Sequence, residues 1–152
     1  MRKLLFLAVV AVGAVGAVPA TATPPSSLSG AFTVVDATTT SVRTAGGNTF
    51  ITLERVAAIS GTFTGTGRDS VLLVMHRNGT TSIRGEGTCV CTVDGRTGTF
   101  DYRFEGAGTF PSSAAGQFTI GHGTGGLEGL HAQGTFSGDF FVANVEGQYH
   151  FD

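Results

Sequence analysis

The chain is poor in charge and nearly without lysine. Charged side chains make up 13% of its 152 residues, and Lys3 is the only lysine. No basic cluster exists to recruit a phosphate backbone, so nucleic acid is not an expected partner. Helical periodicity is missing as well. No segment keeps an apolar repeat near 3.6 residues between capping signals, which excludes βαβ units and parallel sheets. The chain has only two cysteines, and two thiolates alone make a poor site for zinc, which takes four ligands. No nucleophile elbow, H-E-x-x-H pair or calcium loop is present, so no motif announces a catalytic centre or a metal.

Long apolar runs are absent with one exception, "LLFLAVVAVGAVGAV" at residues 4–18. Arg2 and Lys3 precede it, Pro19 breaks it, and Ala20-Thr21-Ala22 forms an A-x-A cleavage signature. The run falls short of the about 20 residues that a membrane span needs. The expectation is a signal peptide over residues 1–22, cleavage after Ala22, export, and no membrane span in the mature chain. The remainder carries seven arginines against 11 acidic residues, a formal net charge of −4. It is long enough for one domain and too short for two. Residues 23–29, "TPPSSLS", read as a flexible lead, and residues 30–152 as a single domain.

What is present is alternation. In "TGTFDYRFEGAGTF", residues 97–110, Phe100, Tyr102, Phe104, Gly106, Gly108 and Phe110 share one face, while Asp101, Arg103 and Glu105 share the other. Period two over such a length marks a strand with one buried and one wet face. "TSIRGEGTCVCTV" alternates likewise, and Asp94-Gly95 between the two runs is a hairpin signal. Asn78-Gly79 repeats that signal between "SVLLVMHR" and "TTSIRGEG". Asn78-Gly79-Thr80 is also a formal glycosylation sequon, read here as a turn. Further strands are expected at residues 30–36, 49–56, 59–67, 114–122, 131–137 and 143–151. About eight antiparallel strands in one domain fit a closed barrel or a tight sandwich. Glycines on buried parities, among them Gly85, Gly87, Gly106 and Gly134, favour the barrel, because closure needs sharply coiled strands.

Residues 121–138, "GHGTGGLEGLHAQGTFSG", contain a formal G-x-G-x-x-G at Gly121, Gly123 and Gly126. A dinucleotide fingerprint needs a helix after its turn. Here Gly126, Gly129 and Gly134 punctuate the would-be helix, each at about 1 kcal/mol relative to alanine. No nucleotide is therefore expected. The glycines of Gly123, Gly125 and Gly126 are read as a tight structural loop, with Leu127 and Leu130 plugging an open end of the barrel.

The same segment, "GTGGLEGLHAQGTF", resembles the G-T-G-x-L-x-G-L signature of a bacterial family, domain of unknown function 3224. "GTFTGTG" at 61–67 and "VDGRTGTFDYRFEGAGTF" at 93–110 agree with it in kind and order. The family in turn resembles the allene oxide cyclase-like barrels. That resemblance implies an all-β fold, an eight-stranded antiparallel barrel, and a shaped apolar lumen; it implies no activity. Where the family carries a lumenal Glu and then an aromatic residue, this chain has Gly87 and Cys89. Glu86 lies on the opposite parity, so no acid–base Glu carries over.

The remaining candidates are single side chains. Tyr102 and Tyr149 fall on inward parities and offer a hydroxyl beside apolar area. Phe104 shares the face of Tyr102. His122 shares parity with Phe118 and Ile120 at a strand end, where a lone imidazole at a barrel mouth suits proton transfer. Cys89 and Cys91 stand two apart on one strand. They are two small buried residues, a strained or intermolecular disulfide, or part of a metal site. Tyr102, His122, Tyr149, Phe104 and Cys89 are the candidate ligand-binding residues. The functional reading is an exported barrel that binds a small apolar molecule in its lumen, or has no catalytic role, without a cofactor. The alternative is a cofactor-free cyclase or isomerase acting on a hydrophobic substrate in the lumen.

Overall fold

The computed structural model describes residues 24–152. The expected signal segment lies outside the described residues. Eight strands follow one another in the chain: β1 Ser26–Ala45, β2 Asn48–Gly61, β3 Thr64–Met75, β4 Thr81–Val93, β5 Arg96–Thr109, β6 Ser113–Gly125, β7 Leu130–Gly138 and β8 Val142–Phe151. Each pairs antiparallel with the next, and β8 pairs back onto β1 to close an eight-stranded barrel. Closure removes the free edges that an open sheet would leave, except along β1 beyond Thr33.

Turn chemistry sets the connections. Asp94 and Gly95 have φ of 50° and 73°, the double left-handed geometry of a two-residue hairpin. Gly46-Gly47, with φ of 60° and 79°, makes an equivalent turn between β1 and β2. Three assignments made from the sequence change. Residues 26–29 are not a lead: Ser26 to Ser29 pair with Tyr149 to Glu146 of β8, and Leu28 is buried in the core. One apolar residue among Pro and Ser was too little pattern to reveal a strand. Residues 59–67 are not one strand; the chain reverses at Thr62–Phe63, between β2 and β3. β1 runs on to Ala45 through threonines that carry no alternation. Beyond Thr33 its far edge has left β8, and register shifts fall between Val34 and Asp36 and between Thr39 and Ser41. Bulges of this kind blunt an exposed edge.

Glycine sits where strands approach most closely. Gly134 faces Gly147 across the β7–β8 ladder. A Cβ on Gly134 would meet the Glu146 carbonyl oxygen, and would stand 2.8 Å from Cζ of Phe118. The Phe118 ring thus covers bare backbone that no second side chain could share.

The interior divides into two clusters. At the end holding the first and last described residues, the termini end, Phe63, Phe100, Leu127, Leu130, Ala132 and Tyr149 pack with the cysteines. Leu127, in the turn after β6, and Leu130, the first residue of β7, are fully buried, at 0% and 1% exposure. At the opposite end, Val71, Leu73, Ile83, Ala114 and Phe140 pack together. Between the clusters the lumen is not wholly filled.

Candidate functional site in the lumen

One inward-facing row crosses four strands. Arg55 of β2 pairs with Asp69 of β3, Asp69 with Gly87 of β4, and Gly87 with Tyr102 of β5. Arg55 shares its strand face with Leu53 and Ala57, and Asp69 shares its face with Gly67 and Val71, so both charges point into the barrel. Arg55 Nε donates to Asp69 Oδ1 at 2.9 Å, and Arg55 Nη2 donates to Oδ2 at 3.0 Å. The Tyr102 hydroxyl donates to the same Oδ2 at 3.1 Å. Gly87 makes this reach possible. A Cβ there would stand 2.6 Å from Asp69 Cβ and 2.9 Å from Asp69 Cα.

The pair is dry. Side-chain exposure is 6% for Arg55 and 1% for Asp69. The guanidinium carbon lies 5.3 Å from the Phe32 ring centroid and 5.4 Å from that of Phe104, so two aromatic faces support the cation. Burial, and then the Asp69 charge and hydrogen bond, push the Tyr102 phenol well above its usual range. Tyr102 is therefore a fixed donor to Asp69 and holds its proton.

Beside this triad lies a cavity of about 100 Å³. Its walls include Phe32, Phe104, Phe118, Ile120, Phe136 and Phe140, and Arg55 and Tyr102 stand in the same wall. The β7–β8 turn flanks it. There the Asp139 carboxylate accepts the backbone N–H groups of Phe141 and Val142, each at 2.7 Å, which holds the carboxyl below the usual aspartate range. A wider depression of about 930 Å³ lies on the outer face among Arg84, Glu86, Arg103, Gln117 and Gln133. It is open to solvent, and the buried charges of Arg55 and Asp69 lie elsewhere, in the lumen.

The structure separates the candidates named from the sequence. Tyr102 and Phe104 line the cavity. Tyr149 is buried at the termini end, where its hydroxyl donates to Asp94 Oδ2 at 2.7 Å. Cys89 is buried there too, bonded to Cys91 as a disulfide with Cα atoms 5.5 Å apart. Among the readings open for the two cysteines, the structure takes the intrachain bridge, for which the strand draws its i and i+2 positions together. His122 does not face the lumen. The β5–β6 register steps from Asp101↔Gly121 to Thr99↔Thr124, and His122 sits in that bulge with φ of 53°, exposed on the outside. One extra residue reverses the parity that placed it inward.

The glycine loop is also displaced. Gly123 and Gly125 belong to the end of β6, Gly125 with φ of 62°, and the turn itself is Gly126 to Gly129. Gly126 N–H donates to the Thr97 carbonyl at 2.9 Å, and β7 follows the turn directly. A Cβ on Gly123 would stand 3.3 Å from Leu130 Cβ, so the backbone lies close under the plug.

Arg55 and Asp69 were not singled out from the sequence, yet a signal existed. In "ITLERVAAIS" the apolar parity runs Ile51, Leu53, Arg55, Ala57, Ile59, and Arg55 interrupts it. Asp69 interrupts the matching parity of Gly67, Val71 and Leu73. Opposite charges on the inward faces of neighbouring strands are a detectable pair once the strand boundaries are right.

The fold and the lumen together define a closed antiparallel barrel of eight strands with a buried ion pair and its tyrosine donor in an apolar chamber. Residues 28–152 match the family described as Protein of unknown function (DUF3224), and the chain belongs to that family. A crystal structure of a protein of unknown function from the DUF3224 family of Shewanella oneidensis MR-1 is similar, with a TM-score of 0.71 at 19% identity, covering 85% of this chain and 99% of that one. At that identity the likeness concerns the fold. No curated protein matches the chain.

Proposed function

We propose that the barrel is a binding protein whose lumen takes up a small, largely apolar molecule. The observation that carries this reading is the unfilled apolar cavity beside Arg55, Asp69 and Tyr102. An eight-stranded barrel is just wide enough for its own side chains to fill, and this one is left open at the site of its buried charges. Well-packed apolar residues in place of a buried ion pair are often neutral or stabilising. Placing the pair against a void therefore suits recognition better than stability. The wall offers little for acid–base turnover: the one phenol in it donates its hydrogen bond to Asp69, Asp69 is held by Arg55, and Asp139 is tied to the backbone N–H groups of its own turn. Binding without conversion thus accounts for the geometry better than a lumenal cyclase.

We propose also that the chain is exported, on the strength of residues 1–22. Among the described residues the first paired one, Ser26, follows the expected cleavage point closely. N-terminal sequencing of protein recovered from outside the cell is expected to begin at Thr23; a start at Met1 contradicts export.

Native mass spectrometry of the purified protein tests the binding reading. Incubation with small hydrocarbons and ketones is expected to yield a one-to-one adduct that shifts when the cavity is closed by Ile120→Phe. A bare chain under every condition, or adducts indifferent to Ile120→Phe, contradicts a lumenal site.

A further inference from the structure

We infer that the lumenal ligand is a compact neutral molecule bearing one carbonyl-type acceptor, which the free edge of the Arg55 guanidinium receives. This inference rests on the lumenal binding reading and adds the chemistry of the ligand. It follows from counting donors and acceptors at the wall. Arginine carries five N–H donors. Asp69 takes one from Nε and one from Nη2. No described protein acceptor pairs with Nη1, yet no buried side-chain nitrogen or oxygen among the described residues is left without a partner. Nη1 is therefore not sealed off; it opens toward the cavity that Arg55 lines. The acceptors beside Arg55 are by contrast engaged; the other carboxylate in the lining, Asp139, has its Oδ1 taken by the Phe141 and Val142 N–H groups of the β7–β8 turn. Asp69 Oδ1 receives Nε, and Oδ2 receives both Nη2 and the Tyr102 hydroxyl. The wall thus presents spare donors, and a ligand must answer with an acceptor.

Charge selects which acceptor. Arg55 and Asp69 cancel, and Asp139 adds a carboxylate to the lining, so the cavity carries no surplus positive charge before the ligand arrives. A carboxylate would bring an uncompensated charge into an apolar enclosure, which is strongly unfavourable. A ketone, aldehyde, lactone or amide oxygen takes the donor without adding charge. Size restricts the rest. The cavity, about 100 Å³, is smaller than the roughly 150 Å³ void that holds benzene in another protein. A single small ring or a short branched chain fits against Phe104, Phe118 and Phe136.

The test compares cyclopentanone, cyclopentane and butyrate by NMR titration of the purified protein, read at the Arg55 Nε–Hε signal and the Ile83, Ile120 and Val145 methyls. Cyclopentanone is expected to saturate both sets of signals and to bind at least about ten-fold more tightly than cyclopentane, the scale of one charge-assisted hydrogen bond. Butyrate is expected to bind more weakly than either. The triple variant Arg55→Met/Asp69→Leu/Tyr102→Phe removes the hydrogen-bonded Arg55, Asp69 and Tyr102 groups together. It is expected to remain folded by circular dichroism, to keep cyclopentane binding, and to lose the preference for the ketone. If that variant unfolds, Arg55→Lys, which keeps the charge but not the fork, is expected to reduce the preference instead. Equal binding of ketone and hydrocarbon by the native protein overturns the carbonyl assignment and leaves the lumenal reading standing. Tightest binding by butyrate overturns the neutrality argument. Absence of binding by all three overturns this inference and the lumenal reading together.

Discussion

The Tyr102 hydroxyl reaches Asp69 over the bare backbone of Gly87, 3.1 Å from Oδ2. Three adjacent strands meet in that contact, so its strength depends on a residue with no side chain. Gly87→Ala is expected to push Asp69 aside and lower stability by about 1–3 kcal/mol, the range for overpacking a fitted interior. The urea midpoint of the variant, with unchanged slope, checks this. Tyr102→Phe keeps the packing and removes one hydrogen bond to a charged group, an effect of about 1.5–3 kcal/mol.

Arg55 and Asp69 are expected to behave as one unit. Arg55→Met alone leaves a carboxylate buried without its cation and is expected to destabilise by about 3–5 kcal/mol. Arg55→Met/Asp69→Leu replaces both charges with apolar bulk and is expected to recover most of that loss. Equilibrium denaturation of the two variants beside the native chain gives the answer; additive losses contradict a coupled pair.

The barrel was legible because its evidence is local. Phe100, Tyr102 and Phe104 alternate with Asp101 and Arg103, and Asp94-Gly95 announces its own turn. The family was legible in a run of close-set residues, "GTGGLEGLHAQGTF". The triad was not, because its evidence is registral. Reading 59–67 as one strand and restarting at Ser70 left Asp69 in a gap between strands, so its parity was never compared with that of Arg55. His122 failed for a related reason. A bulge is a mismatch between two strands, and nothing in the β6 sequence alone reveals that Phe100 on β5 stands opposite more than one residue.

Alkaline titration distinguishes the tyrosines from free phenols. The chain has two, Tyr102 and Tyr149. Burial raises Tyr102 first, then Asp69; the hydrogen bond to Asp94 raises Tyr149 first, then burial. Because the folded values lie above the unfolded value of about 10, this stabilisation is complete below that pH and is lost as pH rises past it. Ultraviolet absorbance is expected to show no phenolate near the usual midpoint while the protein is folded. Phenolate should appear together with unfolding, and an ordinary midpoint in the folded state contradicts the buried hydrogen bonds.

At the cavity mouth the dependence has the opposite sign. Asp139 is held below its usual range by the N–H groups of Val142 and then Phe141. Its hold on the β7–β8 turn is complete above the usual aspartate pKa and fades as pH falls through the lowered value. Carboxyl NMR is expected to place the Asp139 midpoint below about 3.9. Asp139→Ala should speed amide hydrogen exchange at Phe141 and Val142 while leaving β4 and β5 protected. Unchanged exchange at those two amides contradicts the cap.

The central claim is that the lumen admits a guest between its two packed ends. Diffraction from crystals pressurised with xenon tests it directly, since apolar cavities in proteins take up the gas. A strong xenon peak is expected inside the barrel, beside Phe104, Phe118 and Phe136 and adjacent to Arg55. Xenon found only on the outer surface, with no peak inside the barrel, contradicts it.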